Sequence, residues 1–223
     1  MTCGALSSVA AYAGFECGEG FAVVDALGAR GWQTANNSVP LGTTGWSQGD
    51  PAIFEAWAGA PNSYVAADAD NAGAGAQSVV SNWLITPEID FGPNSYNVRI
   101  FDFFTRAVPG AANRVVVRVC LESETERCDA PQGAPTELGG FSTTLLSINP
   151  DLAVDGYPAE WTEYTLTPAD GLPVVGRGRI AFHYSVPLQL DGTHGTYIGI
   201  DAVTMAGATE CPFTDVLLVN GFD

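Results

Sequence analysis

The chain has 223 residues, a length that suits one large domain, and 46% of them are apolar, which excludes a disordered chain. Acidic residues outnumber basic residues by 25 to 8, the basic residues are all arginines, and the net charge is -17. A surface this acidic repels phosphate backbones and anionic lipid headgroups, so we expect no binding to nucleic acid. The sequence has no run of about 18 apolar residues, which excludes a membrane-spanning helix.

The predicted elements are almost all strands. One short turn or helix is predicted at 52–59, between two prolines. Strands follow at 97–105, 114–121, 161–166, 178–186 and 196–205. In 114–121, alternation places Val115, Val117, Val119 and Leu121 on one face and Arg118 on the other. Long irregular loops between these strands favour an all-β, antiparallel jelly-roll β-sandwich.

Both ends of the chain differ from the middle. Residues 1–14 lack a basic start and a long apolar stretch, so we expect that an export signal has been removed from this chain. Residues 207–223 follow a break of small residues, end in NGFD, and are predicted to be a separate C-terminal tail.

Five cysteines stand at positions 3, 17, 120, 128 and 211, and none forms the C-x-x-C spacing of zinc or redox sites. Cys120 and Cys128 flank a polar segment, which predicts a small loop closed by a disulfide and therefore an oxidising compartment. A second bridge among the other three cysteines would leave one thiol over, and the sequence does not decide its pairing.

Residues for catalysis are scarce. His183 alternates with Ile180, Phe182 and Tyr184, which predicts a histidine on the opposite face of a strand. His194 lies in a turn. Glu160 and Glu163 could act as paired carboxylates, but their spacing on a strand points them to opposite faces. The sequence contains no nucleophile elbow and no zinc-protease motif, so we expect that the protein is not an enzyme.

Calcium binding is the better candidate chemistry, because calcium prefers several carboxylate and carbonyl oxygens. Acidic residues cluster near Glu19, at Asp68 and Asp70, and at Asp201 inside an apolar strand. A buried carboxylate must be neutralised or coordinated. The alternative for Asp201 is a structural aspartate that only accepts hydrogen bonds.

The five tryptophans lie next to turns or strand ends, where aromatic rings can stack on sugar rings or plug the edge of a core. We expect Trp32, Trp83 and Trp161 to belong to the core. Trp46 and Trp57 stand in looser sequence and are the candidate ligand-binding residues.

Eight blocks of sequence, in order, resemble the choice-of-anchor J domain. They are EGF at 19–21, GARGWQTANNSVPLGTTGWSQG at 28–49, FEAWAGAPNSYVAAD at 54–68, SNWLITPEIDF at 81–91, FSTTLLSINP at 141–150, YPAEWTEYTL at 157–166, RIAFHY at 179–184 and YIGIDAV at 197–203. The resemblance divides the chain into an N-terminal segment (1–18), a jelly-roll domain (19–206) and the tail (207–223). This family is similar to the cleaved-adhesin domains of bacterial surface proteases.

The resemblance implies a jelly-roll sandwich, export, and structural calcium held by Glu19 and Asp201, with Asp68 as a further candidate ligand. The tail departs from the tripartite anchors of such families, since Val216–Val219 is too short to span a membrane and no basic residue follows it.

We therefore expect a bacterial protein, secreted or at the outer cell surface, that works as an adhesion or carbohydrate-binding module with structural calcium. Its expected partner is a glycan or a surface protein. The alternatives are a structural surface protein that associates with itself, and a glycan-active hydrolase.

Overall fold

The computed structural model describes residues 16–75, 77–92, 99–188 and 193–208. These residues contain no α-helix, and their short 3-10 helices are Val24–Ala26, Gly28–Arg30, Ala69–Asn71 and Pro168–Asp170. The strands are β1 (Glu16–Glu19), β2 (Gln33–Asn36), β3 (Ser47–Gln48), β4 (Val65–Ala67), β5 (Val79–Ile85), β6 (Ile89–Asp90), β7 (Ile100–Ala107), β8 (Val115–Leu121), β9 (Thr143–Ile148), β10 (Thr162–Leu166), β11 (Arg177–Pro187) and β12 (Ile198–Ala206).

The strands form two antiparallel sheets packed face to face as a jelly-roll sandwich, which confirms the predicted fold class. Sheet A has the order β10-β7-β12-β4-β3, with β1 also paired to β12. Sheet B has the order β2-β5-β11-β8-β9, with β6 also paired to β11. No helix of the described residues is long and apolar enough to cross a membrane.

The core lies between the sheets and follows the alternation of the sequence. In β7, Phe101 and Phe103 are fully buried, and both rings pack against Phe182 of β11 at centroid distances of 6.0 and 4.9 Å. Burying each such ring stabilises the fold by about 1.5–3 kcal/mol. The alternate residues of each strand face outward. The outer faces of both sheets are therefore available to carry other chemistry.

The structure adds detail to two local predictions. Leu121 is 43% exposed, because β8 ends there, at the last residue paired with β11. Residues 52–59 form turns instead of a helix. The Asp50 carboxylate accepts a hydrogen bond from the Ala52 N–H, and further along the segment two N–H groups donate to Asp201 on β12. The local acceptor Asp50 and the long-range acceptor Asp201 thus bind N–H groups of this segment.

The outer face of sheet B carries a second, smaller core beneath the loop that joins β8 to β9. Cys120 and Cys128 form the predicted disulfide at the start of this loop. Further along, Phe141 packs on Trp83 at 5.8 Å between ring centroids, and the Asn37 side chain donates to the Pro131 carbonyl. The pairing of the other three cysteines lies outside the described side chains.

Candidate functional site

Strand β12 has a β-bulge where it crosses the middle of sheet A. Asp201 lies opposite Phe104 of β7, whereas Thr204 lies opposite Asp102. Over this stretch β12 therefore has one residue more than β7. Ala202 within the bulge has a φ of 48°. Bulges of this kind re-aim a side chain, and here the affected side chain is the buried carboxylate of Asp201.

Among the described residues, the Asp201 carboxylate accepts hydrogen bonds from backbone N–H groups only. Its Oδ2 accepts from the N–H groups of Trp57 at 2.8 Å and Ala58 at 3.1 Å, and its Oδ1 accepts from the Ala202 N–H at 2.7 Å. Burial and, to a smaller extent, the charge of Glu19 raise the pKa of Asp201 to about 7, against the three N–H donors that favour the charged form. The site therefore favours a proton or a cation beside this carboxylate.

Glu19 is the second buried carboxylate of this region. It lies near Asp201 in sheet A, because its strand β1 pairs with β12. Its register partner on β12 is Val203, two residues after Asp201. Glu19 accepts from the Phe21 N–H at 2.8 Å and from Arg30, whose Nε lies 2.9 Å from Oε2 and whose Nη2 lies 3.2 Å from Oε1. The structure thus brings the two predicted ligands to one strand pair.

The fit of this pair to calcium is partial. Arg30 also donates to the Val23 carbonyl at 3.1 Å, so its guanidinium lies on a carboxylate and a carbonyl, the oxygen types that calcium prefers. A cation bound to Glu19 would have to displace Arg30 or share these oxygens with it. Within the described residues no cluster of three acidic, histidine or cysteine side chains could hold a metal, so backbone carbonyls and water would have to complete the shell.

Asp68 belongs to a different hydrogen-bond network. Its Oδ1 accepts from the Thr44 hydroxyl at 2.7 Å and from the Asn71 amide at 3.3 Å. It follows β4, whose last residue, Ala67, pairs with Ile198, whereas Asp201 lies beyond the other end of this pairing. The structure does not join Asp68 to the Glu19 and Asp201 pair.

The segment between β3 and β4 folds over the outer face of sheet A and is fixed there by aromatic rings. Phe54 stacks on Tyr64 with centroids 5.1 Å apart, and it meets Trp161 and Tyr197 edge to face at 5.5 and 5.3 Å. The Trp161 indole N–H donates to the Glu55 carbonyl at 2.8 Å. Trp161, predicted to lie in the core, is therefore half-buried in this outer aromatic cluster.

Trp57 projects from the same segment and is 52% exposed. Its ring lies flat on Phe104, with centroids 4.4 Å apart and planes inclined by 15°. One face of the indole is therefore covered and the other faces solvent. We call Trp57 and Phe104 the aromatic platform.

Carboxylates stand on both sides of the platform. Phe104 pairs with Glu163 of β10 on one side and with Asp201 of β12 on the other, and directly opposed residues on one face have Cβ atoms about 5 Å apart. The platform thus has one exposed carboxylate beside it, that of Glu163, whereas the Asp201 carboxylate is buried.

The other predicted residues have structural positions. Trp46 is half-buried, because its ring packs against the main core. Its ring is therefore less exposed to solvent than that of Trp57. His183 is 2% exposed, stacks on Trp83 at 3.8 Å, and hydrogen-bonds to the Ser81 hydroxyl through Nε2. His194 bonds to the Pro187 carbonyl through Nδ1.

Two residues of this region were missed from the sequence. Phe104 could have been found, because alternation with Phe103 in NVRIFDFFT places it on the outer face. Arg30 carried no such signal, since its contact with Glu19 depends on the path of the chain between them.

No protein-family model matches this sequence, and no curated protein does either. Two solved structures similar to this chain are cleaved adhesin domains of Lys-gingipain. The K1 domain from Porphyromonas gingivalis W83 has a TM-score of 0.53 at 20% identity, covering 86% of this chain and 98% of that domain. The K2 domain has a TM-score of 0.52 at 16% identity, covering 85% and 97%. A family 11 carbohydrate-binding module from Clostridium thermocellum, in complex with a β-1,3-1,4-mixed-linked tetrasaccharide, has a TM-score of 0.47 at 13% identity, covering 89% and 99%. The cleaved adhesin domains share the β-sandwich fold with this chain.

Proposed function

We propose that this chain is a non-catalytic binding module, of the adhesin or choice-of-anchor J type, that works outside the cell and binds a glycan through the aromatic platform. The observation that carries the proposal is the half-exposed Trp57, whose ring lies flat on Phe104 with its other face open. A flat apolar ring matches the C–H face of a sugar ring, and an exposed ring that is already held in place loses little entropy on binding.

The polar surround supports the same function. Glu163 is exposed beside Phe104, and its carboxylate can accept hydrogen bonds from sugar hydroxyl groups. A negative charge next to the platform disfavours anionic sugars. We therefore expect neutral glycans to bind at this site.

Calcium at Glu19 and Asp201 would have a structural role in this proposal. Asp201 holds the backbone of Trp57 and Ala58, so a cation that neutralises Asp201 would stabilise the segment that presents the platform. At Glu19, the ion pair with Arg30 already neutralises part of the negative charge.

The test combines a glycan array with calorimetry on the glycans that bind. Trp57→Ala removes the ring but keeps the backbone N–H that donates to Asp201, so the fold should persist. We expect at least tenfold weaker binding, from the loss of about 1.5 kcal/mol or more of stacking and burial. Val175→Ala is the matched control, because Val175 is also an exposed apolar residue, at 60%.

Two results would contradict this function. One is the absence of any glycan ligand on the array, and the other is equal affinity of the Trp57→Ala variant and the wild type. Self-association stays a separate prediction, and sedimentation at increasing concentration tests it. Hydrolase activity also stays a separate prediction; one of its two candidate carboxylates, Glu160, is 87% exposed and lies 3.7 Å from Arg106.

A further inference from the structure

The two sheets differ sharply in charge. Of the six described strands of sheet B, only the two-residue β6 contains an acidic residue, Asp90, although the chain has 25 acidic residues. In sheet A, by contrast, β1, β7, β10 and β12 all contain carboxylates. Sheet B also carries Arg118, Arg177 and Arg179 on its strands and Arg114 directly before β8, which is four of the eight arginines in the chain.

Arg114 and Arg118 flank one position on the outer face of sheet B. Between them stands Val116, which pairs with His183 of β11 and is buried like it. Residues four apart on a strand are separated by about 13 Å at their Cα atoms and share a face, so two long side chains can converge on one small ligand between them. Both arginine residues are half-buried.

The hydrogen-bond acceptors of these two guanidinium groups within the described residues are all neutral. Arg114 donates through Nε to the Ser185 carbonyl at 2.9 Å, and Arg118 donates through Nη1 to the Thr144 hydroxyl at 3.0 Å. The Arg118 Nε is buried and has no acceptor among the described residues. Among the described residues, no carboxylate lies within 4.0 Å of either arginine, whereas Arg30 and Arg106 each have one and Arg177 has two.

The positive charge at this place is therefore uncompensated. Desolvation lowers the pKa of both arginines, and the charge of Arg114 lowers that of Arg118 further. Desolvation, with the charges of Arg118 and Arg114, lowers the pKa of His183 to about 3. A partly desolvated cation without a counter-charge is costly, and a bound anion would remove that cost.

We propose that Arg114 and Arg118 form a binding site for an oxyanion group, a carboxylate or a sulfate, on the outer face of sheet B. The planar guanidinium fork matches such groups in two-point hydrogen bonds. This site and the aromatic platform lie on opposite sheets. The arginines favour anionic groups, whereas the platform disfavours them. A ligand or surface that carries acidic groups would thus be held by sheet B.

The two histidines of the chain allow a direct test with ¹⁵N-labelled protein. Inorganic sulfate and sodium acetate are the probes, each titrated at constant ionic strength against sodium chloride while the imidazole ¹⁵N resonances are recorded. His183, paired with Val116 between the arginines, reports binding, and His194 is the internal control. We expect a saturable shift at His183 with at least one probe and no saturable shift at His194.

Arg118→Gln should weaken the binding roughly tenfold to hundredfold, since a hydrogen bond to a charged group is lost. Arg177→Gln makes the same change of charge at an exposed arginine paired with Glu88 and should leave the affinity unchanged. If Arg118→Gln does not fold, as judged by near-ultraviolet circular dichroism, Arg114→Gln takes its place. Linear shifts at both histidines, no shift with either probe, or equal affinity of the Arg118→Gln variant and the wild type would overturn the proposal.

Discussion

His183 makes the stability of this protein depend on pH in a defined direction. The ring is 2% exposed, stacked on Trp83, and close to the charges of Arg118 and Arg114. Protonation would place a third positive charge at this position in the folded state, but not in the unfolded chain. Replacing His183 with glutamine removes the titration and keeps an amide that can bond to the Ser81 hydroxyl.

The size of the effect follows from the pKa of the folded state. Burial and the two arginines lower the pKa of His183 from 6.5 to about 3, which is a decrease of about 3.5 pH units. Because the folded pKa is depressed, the stabilisation is complete above pH 6.5 and is lost as the pH falls toward 3. Each pH unit corresponds to about 1.4 kcal/mol, so His183 removes about 2 kcal/mol at pH 5 and about 5 kcal/mol in total.

Urea unfolding of the wild type and of His183→Gln at pH 7 and pH 5 measures this effect. The wild type should lose about 2 kcal/mol more than the variant between the two pH values. Asp201, with a raised pKa of about 7, titrates in the same interval with the opposite sign, since it stabilises the fold as the pH falls. Its contribution is common to both proteins and cancels in the comparison. Equal losses in the wild type and the variant would refute the electrostatic account of His183.

Three further predictions follow from individual contacts. Calcium should raise the melting temperature of the wild type and a chelator should lower it, with no response in Asp201→Asn; an identical temperature with calcium and with chelator would contradict a structural ion. Replacing Cys120 and Cys128 with serine should cost about 2–3 kcal/mol in urea unfolding, as expected for a loop closed across eight residues, and an unchanged midpoint would refute this. Gly49→Ala should cost about 1–3 kcal/mol, because the added Cβ would lie 2.2 Å from the Tyr64 ring. Gly45→Ala is its control, since a Cβ there meets nothing within 4 Å, and equal unfolding midpoints of the two variants would contradict the clash.

The sequence by itself was sufficient for the class of fold and for many strand faces. The alternation around His183 places Phe182 in the core and the imidazole outside it, as the structure confirms. The disulfide between Cys120 and Cys128 was also predictable, because the two cysteines are only eight residues apart. These features are local: strand alternation has a period of two residues, and a short loop keeps its ends close together.

The candidate site depends on contacts that no local pattern encodes. The bond from the Trp57 N–H to Asp201 joins residues 144 positions apart, and the stacking of Trp57 on Phe104 depends on how one long loop crosses sheet A. Trp46 and Trp57 look alike in sequence, yet one packs on the core and the other is exposed. The sequence determined which residues alternate along each strand. Tertiary structure alone decided which loop covers each outer face, because that choice depends on hydrogen bonds and ring contacts between segments distant in the chain.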